Sequence, residues 1–184
     1  MIERVIYKRN INSVYNKHHV GIAELWEAYC EKHNGEISGI VNGYCLEFQL
    51  NLRIKNVNVQ IDGHRQYSNA TAGTSRDHSI IKSTVVNIST VYYGREDWEI
   101  YQTNKVLDLF NKIIGKCTPF IGAQGYSIAS RKEIETLDNY GNFRKLFDIA
   151  EIRSISFSKE TVRVEYFTLL GVQSAEEVIS LINS

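Results

Sequence analysis

The stretch Gly43–Arg53, Gly-Tyr-Cys-Leu-Glu-Phe-Gln-Leu-Asn-Leu-Arg, constrains the fold more than any other part of the chain. Tyr44, Leu46, Phe48, Leu50 and Leu52 fall on one side of an extended backbone, and Cys45, Glu47, Gln49, Asn51 and Arg53 fall on the other. Successive side chains of a strand point to opposite faces, so this alternation demands a strand with one buried face. Ile37–Val41 precedes it, with Asn42-Gly43 between. Both residues tolerate the positive φ angles of a tight turn, so Ile37–Val41 and Tyr44–Leu52 are expected to pair as an antiparallel hairpin.

The alternation continues more weakly to Ile61, with Val57, Val59 and Ile61 on one side. The break in phase between Ile54 and Val57 predicts a bulge or bend. A polar segment, Asp62–His78, follows. Ile80–Tyr93 then returns to Ile, Val, Thr and Tyr, which suit a half-buried pleated surface. Trp98–Thr103 is its expected partner, and the whole reads as an antiparallel meander of four or five strands.

Helices flank the meander. Ile22, Leu25, Trp26, Tyr29 and Cys30 recur at helical spacing, so Val14–Lys32 is an amphipathic helix, entered through Asn12-Ser13 and stopped by Asn34-Gly35. Asn104 opens a second, with Val106, Leu107, Phe110, Ile113 and Ile114 inward. Farther on come a short strand at Tyr126–Ala129, a helix from the capping box Ser130–Glu133 to Asn139, and another around Phe143–Ala150. A hairpin joins Ile152–Phe157 to Val162–Phe167, and a last helix opens at the capping box Ser174–Glu177, with Val178, Ile179 and Ile182 inward. Strands and helices are segregated, so the fold class is α+β: an antiparallel β-meander packed by helices, with a C-terminal helix-hairpin-helix portion. The 184 residues carry no linker rich in Gly, Pro or Ser, which favours one domain over 1–184. A two-lobe division near Lys116 is the alternative.

Charge narrows the partners. Twenty-one basic and 21 acidic residues give a net charge of +0, without the basic footprint of a nucleic-acid binder. That balance also argues against bases stacking on Tyr67, Tyr92, Tyr93 and Tyr101. No apolar run is long enough for a membrane span. The three cysteines, Cys30, Cys45 and Cys117, are sparse and without C-x-x-C spacing, which points to a reducing, cytoplasmic setting.

The most suggestive chemistry brackets the polar segment. Asp62 and His64 stand at one end, Asp77 and His78 at the other. If the two ends meet, these four could form a mixed oxygen and nitrogen metal site or a His–carboxylate acid/base pair. A solvated loop is the competing account. His18 and His19 are adjacent on a helix and diverge, so surface or capping roles suit them and His33 better than chelation. Gly122–Ser127 lacks the ending of a phosphate loop. Among the thiols, Cys30 is expected to be buried, Cys45 has no evident base, and Cys117, placed in a loop, is the most plausible reactive thiol. No catalytic, metal-ligand or cofactor signature occurs, so no cofactor is expected. The leading expectation is a non-enzymatic module that binds another protein, or itself as a homodimer, through a sheet edge. The alternative is a small metal-dependent or acid/base hydrolase using Asp62, His64, Asp77 and His78.

Overall fold

In the computed structural model, described for residues 1–5, 13–67, 80–89, 97–104, 109, 113, 116–120, 123–130, 140–158 and 160–183, ten strands form one mixed, mostly antiparallel sheet. In chain order the elements are β1 (Glu3–Arg4), α1 (Val14–Lys32), β2 (Glu36–Val41), β3 (Cys45–Ile54), β4 (Val57–Tyr67), β5 (Ile80–Ser89), β6 (Trp98–Gln102), β7 (Lys116–Pro119), β8 (Tyr126–Ser130), α2 (Tyr140–Ile149), β9 (Ile152–Ser158), β10 (Thr161–Tyr166) and α3 (Val172–Ile182). The strand order is β1-β2-β3-β4-β5-β10-β9-β6-β8-β7. The class is α+β, with sheet and helices in separate layers.

β2 and β3 pair as the alternation requires, Val41 opposite Leu46 and Ile37 opposite Leu50. Their turn works differently from the expectation. Asn42 does not adopt positive φ. Its side-chain Oδ1 instead accepts from the amides of Tyr44 and Cys45, at 2.8 and 2.9 Å. The phase break at Ile54–Val57 is neither bulge nor bend but a full reversal. Lys55 and Asn56 hold φ of 49° and 67°, as a two-residue hairpin turn of the right twist requires. β4 then runs back along β3 for its whole length.

The second expected pairing is not made. β5 lies between β4 and β10, and β6 lies between β9 and β8. The late hairpin β9–β10 is thus threaded between the two strands that sequence order had joined. Apolar residues meet there on one face: Val164 lies opposite both Val86 and Ile155. β5 is a central strand, and the sheet edges are β1 and β7. Residues 90–93 of the expected Ile80–Tyr93 strand lie outside the described residues, as do the Ser130–Asn139 helix beyond its first residue and most of the helix from Asn104. Of the latter, Leu109 and Ile113 are described, and Ile113 is exposed rather than inward.

The three described helices pack on one face of the sheet. Trp26 of α1 meets Phe48, with ring centroids 4.9 Å apart. Phe143 of α2 meets Trp98 at 5.2 Å. Ala175, Val178 and Ile179 of α3 join the same buried cluster. The buried stripe of α1 runs Asn16, His19, Ala23, Trp26, Tyr29 and Cys30, while Leu25 is 65% exposed. Counting only apolar residues turns the helix too far toward Leu25, because two polar residues occupy the stripe. α3 also begins earlier than its capping box: Gly171 is the N-cap, no side chain among the described residues caps the helix, and Ser174 lies inside it. Thr84, fully buried on the helix-covered face, donates to the Thr168 carbonyl and accepts from the Leu170 amide, both at 2.8 Å, tying β5 to the lead-in of α3.

Candidate functional site

The face opposite the helices carries the polar half of every alternating strand. Across β3, β4, β5, β10 and β9 it presents, in neighbouring rows, Glu47, His64 and Ser83; Gln49, Asp62, Val85, Glu165 and Ser154; and Asn51, Gln60, Asn87, Arg163 and Ser156. These residues are exposed or half-buried, and no described helix lies over them. Among the described residues the face closes only toward β8, where Tyr101 and Ser127 are buried and the Tyr101 hydroxyl lies 3.2 Å from Cys117 Sγ. Cys117 therefore sits in a strand, β7, and not in a loop.

Asp62 and His64 are both on this face, in the middle of β4 rather than at the mouth of a loop. Gly63 between them is turned to the helix-covered side, opposite Phe48. Asp77 and His78 lie outside the described residues. What the structure brings to His64 is a pair from the neighbouring strand. Glu47 is its cross-strand partner, and His64 Nδ1 is 2.8 Å from Glu47 Oε1. Cys45 lies two residues before Glu47, on the same side of β3. One ligand atom from each of Cys45, Glu47 and His64 lies within 4.8 Å of the other two. Among the described residues this is the one group of three His, Cys, Asp or Glu side chains gathered so closely.

Asp62 does not join them. Gln49 donates to its Oδ1 at 3.0 Å, and the Gln60 amide reaches both of its oxygens, at 3.1 and 2.9 Å. Two amides so placed satisfy the carboxylate and hold it away from His64. Cys45 is no nucleophile here. Burial, then the charge of Glu47 and a hydrogen bond to that carboxylate, push its thiol up to about 11. Only about one molecule in ten thousand would then carry a thiolate at neutral pH, the opposite of what nucleophilic catalysis needs.

The other histidines serve the fold. His19 is fully buried, and its Nδ1 lies 2.8 Å from the Asn42 carbonyl oxygen. A carbonyl only accepts, so Nδ1 carries the proton, and the ring braces the β2–β3 turn while stacking on Tyr67 at 5.3 Å. A surface role for His19 is thereby corrected. Burial holds its pKa below the ordinary value, against the raising effect of the Asn42 bond. Arg65 Nη1 lies 2.7 Å from His18 Nε2. A guanidinium only donates, so that nitrogen accepts and His18 is neutral; burial, then Arg65 and Lys82, lower its pKa. His33 ends α1 and faces Glu176 of α3, with 4.0 Å between Nε2 and Oε1.

Glu47 escaped the sequence reading and Cys45 was weighed there only as a nucleophile, although the signal that joins both to His64 was present. Once Lys55-Asn56 is taken as a two-residue turn, counting outward along the hairpin sets Glu47 against His64. No helix among the described residues is long and apolar enough to cross a membrane. No protein-family model, curated protein or solved structure matches this chain.

Proposed function

We propose that the chain is a non-enzymatic interaction module that binds another protein, or a second copy of itself, through the polar face of its sheet that no described helix covers. One observation carries this reading: the three described helices occupy one face, and the other presents mostly hydrogen-bonding side chains from five adjacent strands. Interfaces of moderate size are polar and mixed in charge at their rims, and this face mixes Glu47, Asp62 and Glu165 with Arg163 and His64.

The sequence pointed to a sheet edge for this contact, and the character of the two edges is what moves the proposal to the face. Residues 1–5 run along β2, with Val5 donating to the Val41 carbonyl at 3.0 Å. Arg4 anchors that strand to Glu27 of α1 at 2.6 Å. The other edge, β7, is four residues long and ends in Pro119, which has no N–H to offer. Short, tethered or proline-bearing edges are poor templates for strand addition. The described cysteines are all free, which fits a reducing, cytoplasmic setting. The neutral charge balance fits a protein partner better than a nucleic acid.

Light scattering on the full chain over a concentration series tests self-assembly. Asn87→Lys, placed at the centre of the face, is expected to return the particle to a monomer without lowering its melting temperature. A monomer at every concentration would remove self-assembly and leave only a different protein as occupant.

A second reading, a small metal-dependent or acid/base hydrolase drawing on Asp62, His64, Asp77 and His78, is favoured by the His64–Glu47 pair. Hydrolysis of ester or phosphoester reporters that vanishes in His64→Ala would support it. Activity unchanged in that variant would assign the hydrolysis to a contaminant.

A further inference from the structure

We propose that Cys45, Glu47 and His64 form a binding site for one zinc-class divalent transition ion, with the fourth position open to solvent. The three side chains come from the two most extensively paired strands of the sheet. Cys45–Ile54 is in unbroken register with Val57–Gln66, so the Cα positions beneath the site are fixed by backbone hydrogen bonds. Cys45 and Glu47 are two residues apart on one strand, hence on the same side, and His64 is the direct cross-strand partner of Glu47. Their ligand atoms already lie within 4.8 Å of one another. A tetrahedral zinc site, with bonds of about 2.0–2.3 Å, needs its ligand atoms about 3.3–3.8 Å apart, so side-chain rotation of about 1 Å completes it.

The chemistry of the set selects the ion. An incoming ion displaces the Cys45 thiol proton to solvent; the resulting thiolate and the Glu47 carboxylate bring two negative charges and a neutral imidazole brings none, so a divalent cation leaves the site neutral. Sulfur and nitrogen donors disfavour magnesium and calcium, which take oxygen, and suit zinc and its cobalt analogue. The His64–Glu47 contact alone is an ordinary half-exposed hydrogen bond, worth little by itself. A lone hydrogen bond has no use for a thiol converging on the same carboxylate, whereas a metal site does. Ser83 and Gln66 occupy the flanking register positions beside His64 and Cys45 on the same face, where ligand-orienting hydrogen bonds are needed. Three protein ligands leave one coordination position for water or an incoming group. The site does not depend on the proposed interaction, because metal uptake is read on the isolated chain.

The test is cobalt titration of full-length, tag-free protein, reduced and stripped with chelator. Expected is one equivalent bound, with a thiolate-to-cobalt charge-transfer band and the strong visible bands of tetrahedral cobalt, both displaced by zinc. Cys45→Ser should abolish the charge-transfer band, Glu47→Gln and His64→Ala should weaken binding at least about tenfold, and Cys117→Ser should change nothing. Should Cys45→Ser fail to fold, the Glu47 and His64 variants decide. A wild-type titration without the band, binding unaltered in His64→Ala, or a band lost in Cys117→Ser would each overturn the assignment.

Discussion

Gly63 is expected to be the least replaceable residue of β4, and alanine is the replacement that shows it. A Cβ built on Gly63 would overlap the Cζ and Cε carbons of the Phe48 ring directly across the ladder. Phe48 is only 4% exposed, and Trp26 of α1 stands behind it at 4.9 Å between centroids. The ring must leave its rotamer well or push α1 outward. Forcing one extra carbon into a packed core costs about 1–3 kcal/mol, against a gain of about 0.5–1 kcal/mol from replacing glycine inside a strand. Overlap with three ring carbons at once puts the cost at the upper end of its range, so Gly63→Ala should destabilise by about 2 kcal/mol, which lowers Tm by about 4–8 °C in a chain of 184 residues. The clashing atoms are ones that leucine lacks, so Phe48→Leu is the partner mutation. Urea unfolding of the wild type, both single variants and the double variant gives the coupling. The double variant should be more stable than the sum of the singles predicts by about 1 kcal/mol. Gly63→Ala at wild-type stability, or strict additivity with Phe48→Leu, would refute the reasoning.

Three further outcomes follow from buried polar groups. Thr84→Val keeps the shape but strands the Leu170 amide and the Thr168 carbonyl, so equilibrium unfolding should show a loss of about 1–3 kcal/mol. Tyr166→Phe should move the other way or not at all, because the fully buried Tyr166 hydroxyl has no hydrogen-bond partner among the described residues; a clear loss of stability would reveal one. Acidification should destabilise the fold through His19, whose folded pKa is lowered by burial. Its contribution is complete above the unfolded value of about 6.5 and is lost as the pH falls below it toward and through the folded pKa. His19→Gln, which retains a donor for the Asn42 carbonyl, should flatten the pH dependence of unfolding below that point. An unchanged slope would count against this account.

Much of the architecture was legible because alternation is a local property. Leu46, Phe48, Leu50 and Leu52 announced a strand and its buried face, and β3 has both; Tyr44, expected on the same face, precedes the strand in the turn and is exposed. The helix Val14–Lys32 was legible for the same reason, though its buried stripe was not. Asn16 and His19 lie in it, and no hydropathy pattern registers a buried histidine bonded to a carbonyl 23 residues away. Strand order was illegible because pairing is set by packing between distant segments. The insertion of β9–β10 between β5 and β6 depends on matching apolar rows such as Val86, Val164 and Ile155, which many pairings would satisfy equally well on paper. The candidate site fell between these cases. Asp62 and His64 were singled out as one end of the polar segment Asp62–His78, since the apolar alternation was followed only to Ile61. Gly63 is there to admit the Phe48 ring, not to turn the chain, and that purpose appears only when the opposite strand is in place.

The same glycine links the core to the polar face. Side chains alternate strictly along β4, so the inward row of Val59, Ile61 and Gly63 dictates that Gln60, Asp62 and His64 point outward. A slip of one residue would drive Asp62 and His64 under the helices and bring Ile61 to the surface, which burial of two polar groups and exposure of an isoleucine both oppose. Phe48 seated on Gly63 makes that slip costlier still, because every other inward position of β4 carries a side chain that the ring would meet. The 2.8 Å approach of His64 to Glu47 is thus inherited from apolar packing on the far side of the sheet. Gly63→Ala should accordingly disturb cobalt uptake at Cys45, Glu47 and His64 more than Asp62→Asn does, although Asp62 shares the face of the proposed ligands and Gly63 does not. Core registry, rather than polar contacts on the polar face, would then be what holds the three ligands together.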